Sequence, residues 1–157
     1  MQIFEIRENK KAHLPLLLLA DEQENMIDRY LERGTMYVLE EDGIKAECVV
    51  TDEGNGILEI KNLATDPAFQ KRGYARKLLE FVAEQYAGRF STMLVGTGDS
   101  PLTIPFYEKC GFVPSHIIEN FFTDNYDHPI IENGVLLKDM VYLKKPLKGK
   151  SEEIRRK

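Results

Sequence analysis

Residues 60–75 read IKNLATDPAFQKRGYA, and the fold turns on this stretch. Together with Ile57, Leu58 and Glu59, its first six residues predict a strand over 57–65, which Asp66-Pro67 ends. From Gly73 onward the apolar positions Ala75, Leu78, Leu79, Val82 and Tyr86 recur at helical spacing, and Gly88 closes the helix. Between strand and helix lies Gln70 to Arg76. Small residues at Gly73 and Ala75 let the backbone approach a ligand closely. The first N–H groups of the helix have no internal partners and carry its positive dipole end. Such a turn can hold a pyrophosphate. Lys71, Arg72 and Arg76 add positive charge at that spot. With a single glycine in the pattern, an ordinary tight turn with solvated cations is an equal reading of these residues alone.

Upstream, Gln2 to Arg7 alternates as a first strand, and residues 10–20 and 23–33 read as helices. In the second helix Met26, Ile27, Tyr30 and Leu31 share a face, and Gly34 stands at the C-cap. Thr35–Glu40 and Lys45–Thr51 form a hairpin around Asp42-Gly43. Downstream, Thr92–Val95 is a strand broken by Gly96 to Ser100. A short helix follows over about 102–110, with an ambiguous start because Pro105 would remove an internal hydrogen bond. Phe112–Ile118 is a strand, 119–136 is loop-rich, and Lys138–Lys144 is the last strand. An antiparallel meander followed by strand–helix–strand–helix–strand predicts an α+β or α/β domain around one mixed sheet.

The chain has 157 residues, 43% hydrophobic and 30% charged, which suits one domain and excludes a disordered or low-complexity protein. The domain is expected over 1–146, with a polar basic tail over 147–157. Net charge is −5, so a general nucleic-acid binder is not expected. The charge is uneven. Residues 144–157 hold seven Lys/Arg against Glu152 and Glu153, a net of +5, which leaves −10 on the other 143. Cys48 and Cys110 stand far apart, outside any CxxC pair, and point to a reducing cytoplasm rather than a disulfide scaffold. The run Leu14 to Ala20 is too short to span a bilayer, so no membrane role is expected. No His/Asp/Glu spacing suggests a metal, and none is expected.

A second segment, residues 106–112 (FYEKCGF), lies some 35 residues beyond the first, after one more strand. With both in view, the chain resembles the GNAT superfamily of N-acetyltransferases. The Q/R-x-x-G-x-G/A loop of that family matches Gln70, Arg72, Gly73 and Ala75. Its Leu-Ala-Val-Asp-Pro strand end matches Leu63 to Pro67, with Thr65 for the usual Val. Its Tyr-Glu-Lys-x-Gly-Phe signature matches Tyr107 to Phe112. The resemblance spans about 2–145 and is most specific over 57–112.

The resemblance implies an acyl-CoA N-acyltransferase fold. A mostly antiparallel mixed sheet, with helices on both faces, splays between two parallel strands at a bulge in the first. It implies acetyl-CoA as co-substrate, with the pantetheine arm near Leu63, Ala64 and Thr65 and the pyrophosphate on Gln70, Lys71, Arg72, Gly73, Tyr74, Ala75 and Arg76. Ser100 stands where the family often has a cofactor-contacting Asn. Tyr107 takes the place of the acid for the leaving thiolate, and Glu59 a place where some members carry the base. An alkylamine with a pKa of about 10 must lose a proton before it attacks, which calls for a carboxylate or a water chain. Beyond the family pattern, residues 120–134 carry Phe121, Phe122 and Tyr126 among Asp124, Asp127 and Glu132. Aromatics with carboxylates suit a cationic amine, and a surface loop with two anchoring phenylalanines fits the same residues.

The expected function is therefore acetyl transfer to a primary amine of a small cationic molecule, by a cytoplasmic monomer or homodimer. A protein or peptide amine is the alternative acceptor. A non-catalytic acyl-CoA-binding regulatory module, or an interaction protein without cofactor, is the alternative class.

Overall fold

A computed structural model describes residues 1–147. Among them seven strands form one sheet in the order β1 (Gln2–Ile6), β2 (Thr35–Glu40), β3 (Ile44–Asp52), β4 (Ile57–Thr65), β5 (Thr92–Gly98), β9 (Met140–Pro146), β6 (Val113–Ile118), and only the β4–β5 pair of these is parallel. The meander comprises β1 (Gln2–Ile6), β2 (Thr35–Glu40), β3 (Ile44–Asp52) and β4 (Ile57–Thr65). Asp42 and Gly43 both take positive φ, 56° and 98°, as a tight hairpin turn between right-twisted strands requires.

Two layers cover the sheet. On one face α3 (Tyr74–Tyr86) buries Leu78, Leu79 and Val82 against Leu39, Cys48, Val50, Leu58 and Ile60. Each such aliphatic side chain contributes about 1.5–3 kcal/mol when fully buried. On the other face, α1 (Leu14–Ala20), α2 (Glu24–Ile27) and the turns after it pack Leu17, Ile27 and Leu31 on Met36, Val38 and Val49. Alternation along β2 and β3 divides the two cores.

Both expected N-terminal helices are shorter than their apolar patterns. Lys10–His13 is a 3-10 turn, and α1 begins at Leu14 with Pro15 in its first turn, where its missing N–H costs nothing. After Ile27 the chain tightens into turns, with Tyr30 N–H donating to Ile27 C=O at 3.1 Å. The Lys10 ammonium donates to the carbonyls of Leu31 (2.9 Å) and Gly34 (2.7 Å) and closes that end. Tyr30 and Leu31 are still buried, so the face is as read although the helix is not.

Beyond α3 come β5 (Thr92–Gly98), α4 (Ile104–Lys109), β6 (Val113–Ile118) and α5 (Phe121–Asn125). A small hairpin of β7 (Ile131–Glu132) and β8 (Val135–Leu136) precedes β9 (Met140–Pro146). Starting α4 at Ile104 places Pro105 in the first turn, so no helical bond is lost. The expected loop over 119–136 thus holds a helical turn and a hairpin. Pro146 lies in β9, and Leu147 is buried and donates its N–H to Ser91 C=O at 2.9 Å. The folded unit therefore includes Leu147, and the rest of the expected tail, 148–157, lies outside the described residues.

Candidate active site

β4 and β5 pair only from Ile57↔Thr92 to Ile60↔Val95. On its other side β4 pairs Val50 with Ile60 and Val49 with Asn62, which leaves Lys61 as the extra residue of a bulge. Past the bulge β4 follows β3, while β5 stays zipped to β9 through Gly98↔Met140. The strands part, and a cleft of about 730 Å³ opens between them. Its wall draws Leu19, Asp21 and Glu22 from the end of α1 on one face, and the start of α3 with Tyr107 of α4 from the other. The cleft therefore crosses the sheet.

The backbone of β4 is prepared for a ligand. Asp66 N–H donates to Lys45 C=O at 2.8 Å, so Lys45 and Asp66 form a bonded pair. Antiparallel ladders alternate, and the register makes Thr65 (opposite Ala46) and Leu63 (opposite Cys48) members of unbonded pairs. Their N–H and C=O groups turn away from β3, toward the side that β5 has left. Leu63, Ala64 and Thr65 all line the cleft.

At the start of α3, Gly73 takes φ 82° and Lys71 φ 65°, a left-handed turn in which glycine carries no Cβ penalty. The first helical donor is Lys77, to Gly73 C=O at 3.0 Å. The N–H groups of Tyr74, Ala75 and Arg76 therefore have no acceptor within the helix. Tyr74 anchors the turn by donating its hydroxyl to Glu41 at 2.9 Å. Gln70, Lys71, Gly73, Tyr74, Ala75 and Arg76 line the cleft. Arg72 does not. Its guanidinium lies 5.2 Å from the centre of the Phe69 ring, outside the wall.

Tyr107 is buried between Phe106 and Phe112 and lines the cleft. Burial pushes its phenol far up, and among the described residues no hydrogen bond offsets this. It stays protonated, a fixed donor. Ser100 lies off the wall, buried, with its Oγ accepting the Leu102 N–H at 3.1 Å. Its hydroxyl serves the turn before α4.

Glu59 is also off the wall. Leu58 and Ile60 face α3, so Glu59 points to the opposite side, where Lys61 Nζ sits 2.9 Å from its carboxylate. Burial raises its pKa, and Lys61 opposes the rise. Tyr107 and Glu59 are thus not brought to one wall.

Of the aromatic loop, Phe122 and Tyr126 line the cleft. Phe121 packs edge-on against Phe122, and Asp127 is exposed with its carboxylate 2.6 Å from His128 Nδ1. Tyr126 leads to groups that sequence reading passed over. Its hydroxyl donates to Asp21 Oδ1 at 2.7 Å, and the Tyr30 hydroxyl donates to Asp21 Oδ2 at 2.9 Å. Asn62 Nδ2 donates in turn to Tyr30 Oη at 3.0 Å. Burial raises the Asp21 pKa, opposed by the two phenols and the Gln23 backbone. One signal was available in the sequence: an aspartate ending an apolar helix sets its charge against the negative dipole end. Among the described residues there is no metal-holding cluster and no helix long and apolar enough to cross a membrane.

Comparison with known proteins agrees with this geometry. The acetyltransferase (GNAT) domain matches residues 32–114. A Bacillus subtilis (strain 168) protein, the uncharacterized N-acetyltransferase YvbK, is 36% identical over 131 residues, 82% of this chain and 84% of that protein. The crystal structure of a GNAT family acetyltransferase from Elizabethkingia anophelis with acetyl-CoA bound superposes with a TM-score of 0.88 at 34% identity, covering 93% of this chain and 97% of that one. A Bacillus subtilis acetyltransferase in complex with CoA gives 0.84 at 33% identity, over 93% and 98%. The chain belongs to the GNAT family of acetyltransferases, and its enzyme class is acyltransferase.

Proposed function

We propose that the protein transfers an acetyl group from acetyl-CoA to a primary amine of a small cationic molecule. One observation carries the reading. The opening between β4 and β5, with Leu63 and Thr65 turned into it, leads to a mouth lined by Asp21, Glu22 and Glu132 beside Phe122 and Tyr126. Carboxylates beside aromatic rings favour a cation. The relatives that hold acetyl-CoA and CoA support the donor.

The thioester supplies an electrophilic carbonyl and a leaving thiolate. Leu63 and Thr65 bind an extended amide-bearing arm as a neighbouring strand would. The Leu63 N–H is the donor available to a developing oxyanion, and one such donor is worth about 2.7–4 kcal/mol. The unbonded N–H groups of Tyr74, Ala75 and Arg76, with Lys71 and Arg76, receive phosphate oxygens. Tyr107 holds the departing sulfur by its hydroxyl. With its pKa raised it stabilises the thiolate as a hydrogen-bond donor and does not ionise.

Thiol release from acetyl-CoA, followed with a panel of putrescine, spermidine, tyramine and a lysine-containing peptide, tests the reading. Turnover of the small cations, with a 10–100-fold lower kcat in Tyr107→Phe and an unchanged CoA affinity, is expected. Preferential turnover of the peptide would move the acceptor to a protein amine. CoA binding without turnover of any amine would favour a non-catalytic module.

A further inference from the structure

Asp21 closes α1 with an extended backbone (φ −142°, ψ 96°) and presents its carboxylate on the cleft wall. One phenol holds each oxygen: Tyr126 on Oδ1 and Tyr30 on Oδ2. A carboxylate has about four acceptor positions; with the two phenols and the Gln23 backbone on it, one remains for a ligand N–H. The group is held from three parts of the chain. Tyr30 follows α2, Tyr126 follows α5, and Asn62 reaches Tyr30 Oη and Leu17 C=O from β4, both at 3.0 Å. Asn62 directly precedes Leu63, whose free backbone groups face the same cleft. The position of the carboxylate is thereby tied to the strand edge that would receive the thioester. Glu59 has no such placement, since it is off the wall and its carboxylate is paired with Lys61.

We propose that Asp21, clamped between the hydroxyls of Tyr30 and Tyr126, binds the acceptor as its ammonium ion and takes the proton that frees it for attack. This assignment rests on the acetyl-transfer reading above. One N–H bond of the ammonium breaks and its proton passes to an Asp21 oxygen. The freed lone pair forms the N–C bond, and the carbonyl π pair moves to oxygen opposite the Leu63 N–H. As the C=O re-forms, the C–S bond breaks and its pair leaves on sulfur beside Tyr107. The second surplus proton of the nitrogen goes to that sulfur, and Asp21 returns the first to solvent at the mouth. The products are the amide, the free thiol and one proton, so no further reactant is needed.

Burial raises Asp21 as a base, while the two phenols and Arg29 keep it ionisable. The other charged groups on the same cleft are Glu22, Glu132, Lys61, Lys71 and Arg76, with His128 bonded to Glu22. The kcat/KM profile for a turned-over amine such as spermidine should therefore have an acidic limb that belongs to Asp21.

The test compares wild type, Asp21→Asn and Tyr30→Phe in spermidine-dependent thiol release from pH 5 to 9, with CoA thermal shift in parallel. Asp21→Asn should lose roughly 100-fold or more in kcat/KM, within the range of a lost general base. It should keep the CoA-induced shift and lose the acidic limb. Tyr30→Phe removes a donor to the carboxylate, so its limb should move to higher pH. Activity of Asp21→Asn within threefold of wild type, or loss with the limb intact, overturns the assignment while leaving acetyl transfer standing. Wild type that binds CoA but turns over none of the amines overturns both.

Discussion

The Tyr126 hydroxyl donates to Asp21 Oδ1 at 2.7 Å and so joins residues 105 positions apart. Around this bond the segment at α5 is stitched to the first two helices. Asp127 N–H donates to Gln23 Oε1 at 3.0 Å, and Arg29 Nη1 donates to Asn125 Oδ1 at 3.2 Å. Phe122 stacks on Tyr126 with ring centres 5.6 Å apart and anchors a small core with Ile130 and Leu137. The segment is a wall of the cleft held by polar bonds and a modest apolar patch.

Tyr126→Phe keeps the ring and deletes one hydrogen bond to a charged group. It should lower stability by about 1.5–3 kcal/mol. The amine KM should rise several-fold while the acetyl-CoA KM stays within twofold, because Leu63, Thr65 and the α3 start are untouched. Hydrogen exchange over residues 121–126 should quicken. An equal rise in both KM values would place Tyr126 outside the acceptor mouth.

The start of α3 separates two arginines, three and seven residues after Phe69. Arg76 lines the cleft, and Arg72 lies over the Phe69 ring off the wall. Arg76→Glu should therefore weaken CoA binding about tenfold by calorimetry, near 1.4 kcal/mol. Arg72→Glu should weaken it no more than about threefold, through screened long-range charge. The reverse order would put the pyrophosphate on the outer side of the turn.

Much of this architecture could be read from residues alone. β4 runs over Ile57–Thr65 as its apolar pattern indicates, α3 follows Gly73, and Asp42-Gly43 makes the hairpin. These elements carry strong local signals. The short ones do not: α5 has five residues and β7 and β8 two each, lengths that only tertiary contacts support. The bulge at Lys61 leaves no mark in composition, yet it changes which residues face the cleft beyond it. Leu63 to Thr65 are named as ligand contacts only through the family resemblance, while Asp21, Tyr30 and Asn62 match no motif and were passed over. Their meeting depends on α1, α2 and β4 packing together, and no motif records it.

Glu59 is the sharpest case of that limit. Its place in the chain suggests a base, but its carboxylate is 2.9 Å from Lys61 on the face away from α3. Glu59→Gln should cost about 1.5–3 kcal/mol of stability by weakening a charged bond. It should reduce kcat/KM less than tenfold and leave the acidic limb in place. A loss of 100-fold or more with the limb removed would return the base to Glu59.

Glu47 gives a prediction about stability rather than turnover. It is fully buried on β3, and both carboxyl oxygens lack a hydrogen-bond partner in the described residues. Asn62 Oδ1, one rung away on the same face, is equally unpartnered. Burial holds the Glu47 pKa well above the usual carboxylate range, so the fold keeps this proton while the unfolded chain releases it from about pH 4 upward. Below that pH both states are protonated and the group adds no pH dependence. Above it the unfolded state binds fewer protons, and stability falls with rising pH by up to about 1.4 kcal/mol per unit until the folded-state pKa is passed. Glu47→Gln keeps the shape and removes the titration. Urea denaturation of both proteins from pH 5 to 8 should show the variant gaining on wild type as pH rises until the folded-state pKa is passed, since every other titrating group is common to the pair. Parallel profiles would mean that Glu47 is satisfied in its charged form.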